Sequence, residues 1–153
     1  DWSSDVCSSD LTWRTRMKTV AWGLWLFACV TAGLSVLTAA WVAHQPGLGD
    51  AALRSLQWAL QMQQVHALAL LWLSWWTLRE GHHTWRLVAS LFMALGIVFF
   101  SINIEAQQLL SFTLFKAWTP LGGVSLVLGW LVLAAMPLAN IQRTKLTRTE
   151  PHD

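Results

Sequence analysis

Val20 to Ala43 is a run of 24 residues without one charged side chain. At 1.5 Å of rise per residue, about 20 apolar residues in a helix cross the hydrocarbon core of a bilayer. Backbone groups in lipid have no water to pair with, so such a segment must satisfy its own N–H and C=O groups as a helix. A cleavable signal sequence has an apolar region of only about 7–15 residues, which this run far exceeds. The rest of the chain agrees. Of its 153 residues, 55% are hydrophobic and 12% charged, against about 25% charged in soluble domains. That balance excludes a disordered chain and an ordinary soluble enzyme. The net charge of +2, with no basic run interleaved with aromatics, excludes a nucleic-acid partner.

Three more stretches follow the first. Ser55 to Leu78 is also charge-free, but its first half carries Gln57, Gln61, Gln63, Gln64 and His66. It reads as one long tilted helix whose N-terminal half lies in the interface or against protein. Leu87 to Ile104 gives 18 charge-free residues. Ala117 to Gln142 holds a fourth span, with Thr119 as N-cap and Pro120 in the first helical position; Pro137 is predicted to kink or end it. The connections are short, so neighbours run antiparallel. The predicted fold is an all-α membrane protein. Residues 17–142 form a four-transmembrane-helix up-down bundle with spans at about 20–43, 55–78, 87–104 and 119–141. Arg14, Arg16, Lys18, Arg79, Arg86, Arg143, Lys145 and Arg148 fall on one side of it, and only Arg54 and Lys116 on the other. The positive-inside rule then makes both termini cytoplasmic. Trp22, Trp25, Trp75, Trp76 and Trp85 fall at one membrane level and Trp41, Trp58 and Trp118 at the other, as in an aromatic belt. Trp130 alone sits in mid-span.

The first eleven residues are polar, rich in Ser and Asp, and resemble a translated sequencing adapter. Residues 1–16 are therefore set apart, with Met17 read as the native start. Cys7 leaves with that segment, and Cys29 alone cannot form an internal disulfide. Residues 143–153 read as a polar cytoplasmic tail, frayed and within reach of anionic lipid.

Four local patterns carry a family resemblance. They are Ala39-Ala40-Trp41-Val42-Ala43-His44, then Gln57, Gln61 and Gln63 leading into His66-Ala67-Leu68, then Phe100-Ser101-Ile102-Asn103-Ile104-Glu105, and last Thr119-Pro120-Leu121-Gly122-Gly123 with Gly129-Trp130. Their order and spacing resemble the domain of unknown function 423 family, the YgdD-like small inner-membrane proteins of bacteria, related to the eukaryotic transmembrane protein 256 group. The chain departs from the family pattern at Ala39, Val42, Met62, Ile102 and Glu105. The resemblance implies a multi-pass protein of the bacterial inner membrane. It implies no activity, because the family has none established.

Two sets of residues stand out within the spans. Ala28, Ala32, Ser35 and Ala39 form a small-residue stripe on span one, and Gly122, Gly123, Ser125 and Gly129 form another on span four. Small residues let helices approach closely in lipid. The second set is polar: His44, Gln57, Gln61, Gln63, Gln64, His66, Asn103, Glu105 and Thr119, all at one membrane level, a candidate polar pocket in the outer leaflet. On the second helix Gln57, Gln61 and Gln64 share one face, and Gln63 and His66 another. The plainer reading of these groups is interhelical hydrogen bonding and interfacial solvation. A two-His-one-carboxylate metal site from His44, His66 and Glu105 has the right ligand types, but no pair of them at helical spacing. His82-His83 reads as a solvated loop. The expectation is a non-enzymatic structural or accessory protein without a cofactor, whose partners are the bilayer and either copies of itself or a larger complex. The alternatives are an oligomeric transporter or channel component using the pocket, and, behind it, a membrane metal or redox enzyme.

Overall fold

The computed structural model describes the backbone of residues 2–45, 47–80, 84–111 and 116–148, and the side-chain surroundings of residues 15–45, 47–80, 84–111 and 117–137. It is all-helical, with no strand among the described residues. Helix α1 runs Trp2–Ala43, α2 Asp50–Glu80, α3 Thr84–Gly96, α4 Asn103–Leu110 and α5 Thr119–Arg148. A π-helical segment, Ile97–Ile102, joins α3 to α4, so these three make one rod from Thr84 to Leu110. A 3₁₀ turn, Lys116–Trp118, leads into α5.

Among the described residues, three helical stretches are long and apolar enough to cross a membrane: Thr15–Ala43, Thr84–Leu110 and Thr119–Pro137. The second helix, expected as a span at 55–78, is not among them. Its four glutamines and His66 lower its hydropathy. Packing nevertheless puts α2 at the centre: α1 packs along it on one side, and α3, the π segment and α4 on the other. The outermost helix, α5, leans on α3 and the π segment. One apolar cluster joins Ala28 of α1, Ala67 and Leu70 of α2 and Ile97, with Phe27, Ala32 and Ala94 around it. A second joins Leu73, Ala89 and Met93, with Val132 and Leu133 of α5 against it. The opposite faces of α1 and α5 expose Leu26, Val30, Leu37, Leu121, Val124 and Leu131, as lipid-facing helices do.

Several boundaries differ from the sequence reading. The backbone of residues 2–16, set apart by sequence, is helical and continuous with α1. Pro137 lies inside α5, which continues to Arg148 past the expected tail boundary at 143. One missing N–H removes a single ladder bond, and helices in lipid tolerate that loss. The side chains of Arg143, Lys145 and Arg148 lie outside the described residues, as do His82 and His83.

Candidate functional site

The small-residue stripes mark the closest helix approaches. Ala28 and Ser35 are fully buried on α1, Ala32 packs at the edge of the first cluster, and Ala39 lines a cleft nearer the helix end. On α5, Gly122 lies against the backbone of Phe99 and Phe100 in the π segment, and Gly129 against Met93 and the Ala89 carbonyl. Gly123 faces only the Phe100 ring, at ordinary contact distance. Ser125 donates its hydroxyl to the Phe92 carbonyl, 2.8 Å away. Gly96, which the sequence reading did not single out, receives Leu126 in the same way. Its position two to three turns into an apolar span was the available signal.

The nine polar residues are distributed over separate settings, so the single pocket expected from them is not what they build. Gln63 is buried on the α2 face toward α1, and its Nε2 donates to the Thr31 carbonyl at 3.0 Å. His66 is buried between α2 and α5. Its Nδ1 lies 2.7 Å from the Met62 carbonyl, and its Nε2 lies 3.0 Å from the indole Nε1 of Trp130. A carbonyl only accepts and an indole N–H only donates. Nδ1 is therefore the donor and Nε2 the acceptor, both nitrogens engaged. The mid-span tryptophan that the aromatic belt left unexplained is thus the partner of the deepest histidine. An apolar cleft of about 320 Å³ opens beside this pair, floored by Phe100 and Leu126.

A third setting joins α4 to α5. Asn103 and Gln107, one helical turn apart, both donate side-chain N–H to Thr119 Oγ1, at 2.9 and 3.3 Å. Thr119, expected as a cap, is the acceptor of this pair. Gln107 was missed, although its i+4 spacing from Asn103 put it on the same face. Glu105 is half-buried, and its Oε1 is enclosed without a hydrogen-bond partner. His44 is exposed at the end of α1. Among the described residues no three His, Cys, Asp or Glu gather as a metal would need, so His44, His66 and Glu105 do not form the ligand set considered from sequence. The reason is placement: His66 turns toward Trp130, while Glu105 sits on α4 and His44 at the exposed end of α1.

The fourth setting is a cleft of about 390 Å³ between the end of α1 and the start of α2, with Gln57, Gln61 and Gln64 along one side. At the other end of α2, Arg86 is buried. Its guanidinium stacks 4.7 Å from the Trp76 ring centroid and donates to the Trp76 carbonyl at 3.2 Å. Exposed Glu80 lies 3.4 Å away.

Residues 38–123 match the family described as protein of unknown function, DUF423. The chain is 31% identical over 110 residues to the UPF0382 inner membrane protein YgdD of Escherichia coli K12, an alignment spanning 71% of this chain and 83% of that protein. The proteins of that name in Escherichia coli O157:H7 and Shigella flexneri match equally. This chain belongs to the DUF423 family. No solved structure matches it significantly. With three span-capable helices and relatives named as inner membrane proteins, this DUF423 chain is a multi-pass inner-membrane protein whose family carries no assigned activity. The matched segment contains the glutamine cleft, His66, the Asn103–Thr119 pair and Gly122. Trp130 lies beyond it.

Proposed function

We propose that this DUF423 protein is a structural or accessory component of the bacterial inner membrane, acting through helix–helix contacts, rather than an enzyme. One observation carries the reading. Its larger buried polar side chains, Gln63, His66 and Asn103, bond across helices, to Thr31, Trp130 and Thr119, and half-buried Ser125 does the same to Phe92. Groups used in this way rigidify a bundle and do not line a conduit. The exposed apolar faces of α1 and α5 meet lipid or a further helix. Native mass spectrometry of the protein, extracted from its membrane in mild detergent, tests this. A homo-oligomer or a stoichiometric partner protein is expected; a bare monomer overturns the reading.

The same proposal takes α2 as a fourth span, with both termini cytoplasmic. At 31 residues α2 is about 46 Å long, and its Gln63 and His66 are enclosed by protein. From Met17 onward, the six-to-two distribution of Lys and Arg supports the orientation. In a background lacking both Cys7 and Cys29 (each replaced by Ala), Gly47→Cys should react with a membrane-impermeant maleimide from the periplasm, and Glu80→Cys only after permeabilisation. Equal reactivity of the two from the periplasm would mean that α2 does not cross.

A further inference from the structure

The cleft between α1 and α2 has a composition that helix pairing does not explain. Its floor is aliphatic, from Val42, Leu53 and Leu60. Its rim carries Gln57, Gln61 and Gln64, at i, i+4 and i+7 on one helix face, with Gln45 across from them. Neighbours at this spacing stand about 5–6 Å apart. Gln63, on the adjoining face, bonds α1 through Thr31. Among the described residues the three rim glutamines of α2 have no hydrogen-bond partner; Gln57 and Gln61 are exposed and Gln64 is half-buried. Each carries two donors and two acceptor lone pairs. Among the described residues lining the cleft there is no charged side chain and no histidine. Small Ala39 and Ala43 on the α1 side leave the space open. Trp41 and Trp58 are exposed close by, as aromatic rings at headgroup level are.

We propose that this cleft binds an uncharged, hydroxyl-rich group, a glycosyl unit, at the membrane surface. A sugar ring has an apolar C–H face to lie on Val42 and Leu60, and hydroxyls that donate to and accept from carboxamides. The described lining offers no cation to an anionic phosphate and no carboxylate to a free ammonium, which favours a neutral ligand even with exposed Arg54 one turn before Gln57. The same chemistry is offered by a glycolipid headgroup and by a free sugar. This site goes beyond the scaffold reading and is independent of it.

The test uses the full chain in nanodiscs holding equal fractions of phosphatidylglycerol, phosphatidylethanolamine and monoglucosyl diacylglycerol, with bound lipid read by native mass spectrometry. The glucosyl lipid should be retained over the other two by about tenfold, as a few added hydrogen bonds provide. That preference should vanish in the Gln57→Leu, Gln61→Leu, Gln64→Leu triple variant. It should vanish also in Ala43→Phe, which fills the cleft from the other wall and leaves the glutamines intact. Tryptophan-fluorescence melting confirms that each variant is folded. Equal retention of the three lipids, a preference for phosphatidylglycerol, or unchanged retention in Ala43→Phe overturns the proposal. Displacement of the glucosyl lipid by millimolar methyl glucoside assigns the site to free sugar; retention against it assigns the site to the lipid.

Discussion

Gly122→Ala and Gly123→Ala are neighbouring substitutions of identical chemistry, and the structure predicts opposite signs for them. Both positions lie in the first turns of α5, where replacing glycine by alanine favours the helix by up to about 1 kcal/mol. At Gly123 an added Cβ would meet only the Phe100 ring, at 3.7 Å and beyond. Nothing opposes the gain, so Gly123→Ala should be neutral or stabilising. At Gly122 the same atom would lie 2.6 Å from the Phe99 carbonyl carbon and 2.9 Å from Phe100 Cα, and closer still to the Phe100 nitrogen. These are backbone atoms of the π segment and cannot rotate away. The first turns of α5 must back off by about 1 Å, an overpacking of the kind that costs about 1–3 kcal/mol. The Ser125 bond to Phe92, one turn on, would lengthen with it. Backbone atoms within 3 Å put the cost in the upper half of that range, so after the helix gain is deducted a net loss of about 1–2 kcal/mol remains. For a chain of this size that is a fall of roughly 2–8 °C in Tm. Melting both variants in one detergent, followed by the intrinsic tryptophan fluorescence, measures the difference. If Gly122→Ala melts at or above the wild type while Gly123→Ala does not, the contact between α5 and the π segment is wrongly placed.

Other substitutions separate the remaining contacts. Trp130→Phe leaves the His66 Nε2 acceptor without its donor and should cost about 0.6–1.7 kcal/mol in lipid. In the double variant with His66→Leu the two losses should add to less than their sum, read by a double-mutant cycle of melting temperatures. Gln63→Leu removes the bond to Thr31 but also the enclosed, unpartnered Oε1. The two effects oppose, so its melting temperature should stay within a few degrees of the wild type, and a collapse would mean that Gln63 holds more than α1. At the other end of α2, Glu80→Gln should change stability by less than about 1 kcal/mol, because Glu80 is solvent-exposed. Arg86→Ala removes the stack on Trp76 and the bond to its carbonyl, so it should lower the melting temperature well below that of Glu80→Gln.

Helix content and the stretches at 15–43, 84–110 and 119–137 were legible because runs of apolar residues report directly on lipid. The π segment was not. Nothing in Ile97–Ile102 breaks the helical pattern, and the extra residue per turn becomes visible only where α5 comes close at Gly122. The small-residue stripes indicated where helices approach but not which helix approaches which. The structure pairs α1 with α2 and α5 with the α3–α4 rod. The partners of the polar residues were not legible. Gln63 to Thr31, His66 to Trp130 and Asn103 to Thr119 are separated by 32, 64 and 16 positions. No local periodicity encodes pairs that distant.

The second helix shows why hydropathy and burial part company in a bundle this small. Hydropathy asks what a side chain prefers when it faces lipid. The buried positions of α2 are Leu56, Ala59, Leu60, Gln63, His66, Ala67, Leu70, Leu73, Ser74 and Thr77. They recur every three or four residues whether the side chain is apolar or polar, the seam of a helix with protein on that face. Gln63, His66, Ser74 and Thr77 lower the hydropathy of the segment, yet they sit where α1, the α3–α4 rod and α5 exclude lipid. The opposite rule holds on α1, whose exposed Leu26, Val30 and Leu37 raise its hydropathy because lipid is their solvent. A central helix can therefore be both the least apolar and the most enclosed. The glutamines outside that seam, Gln57, Gln61 and Gln64, remain unaccounted for by burial. On the proposal above their shared face serves a ligand, where Gln63 serves a neighbouring helix.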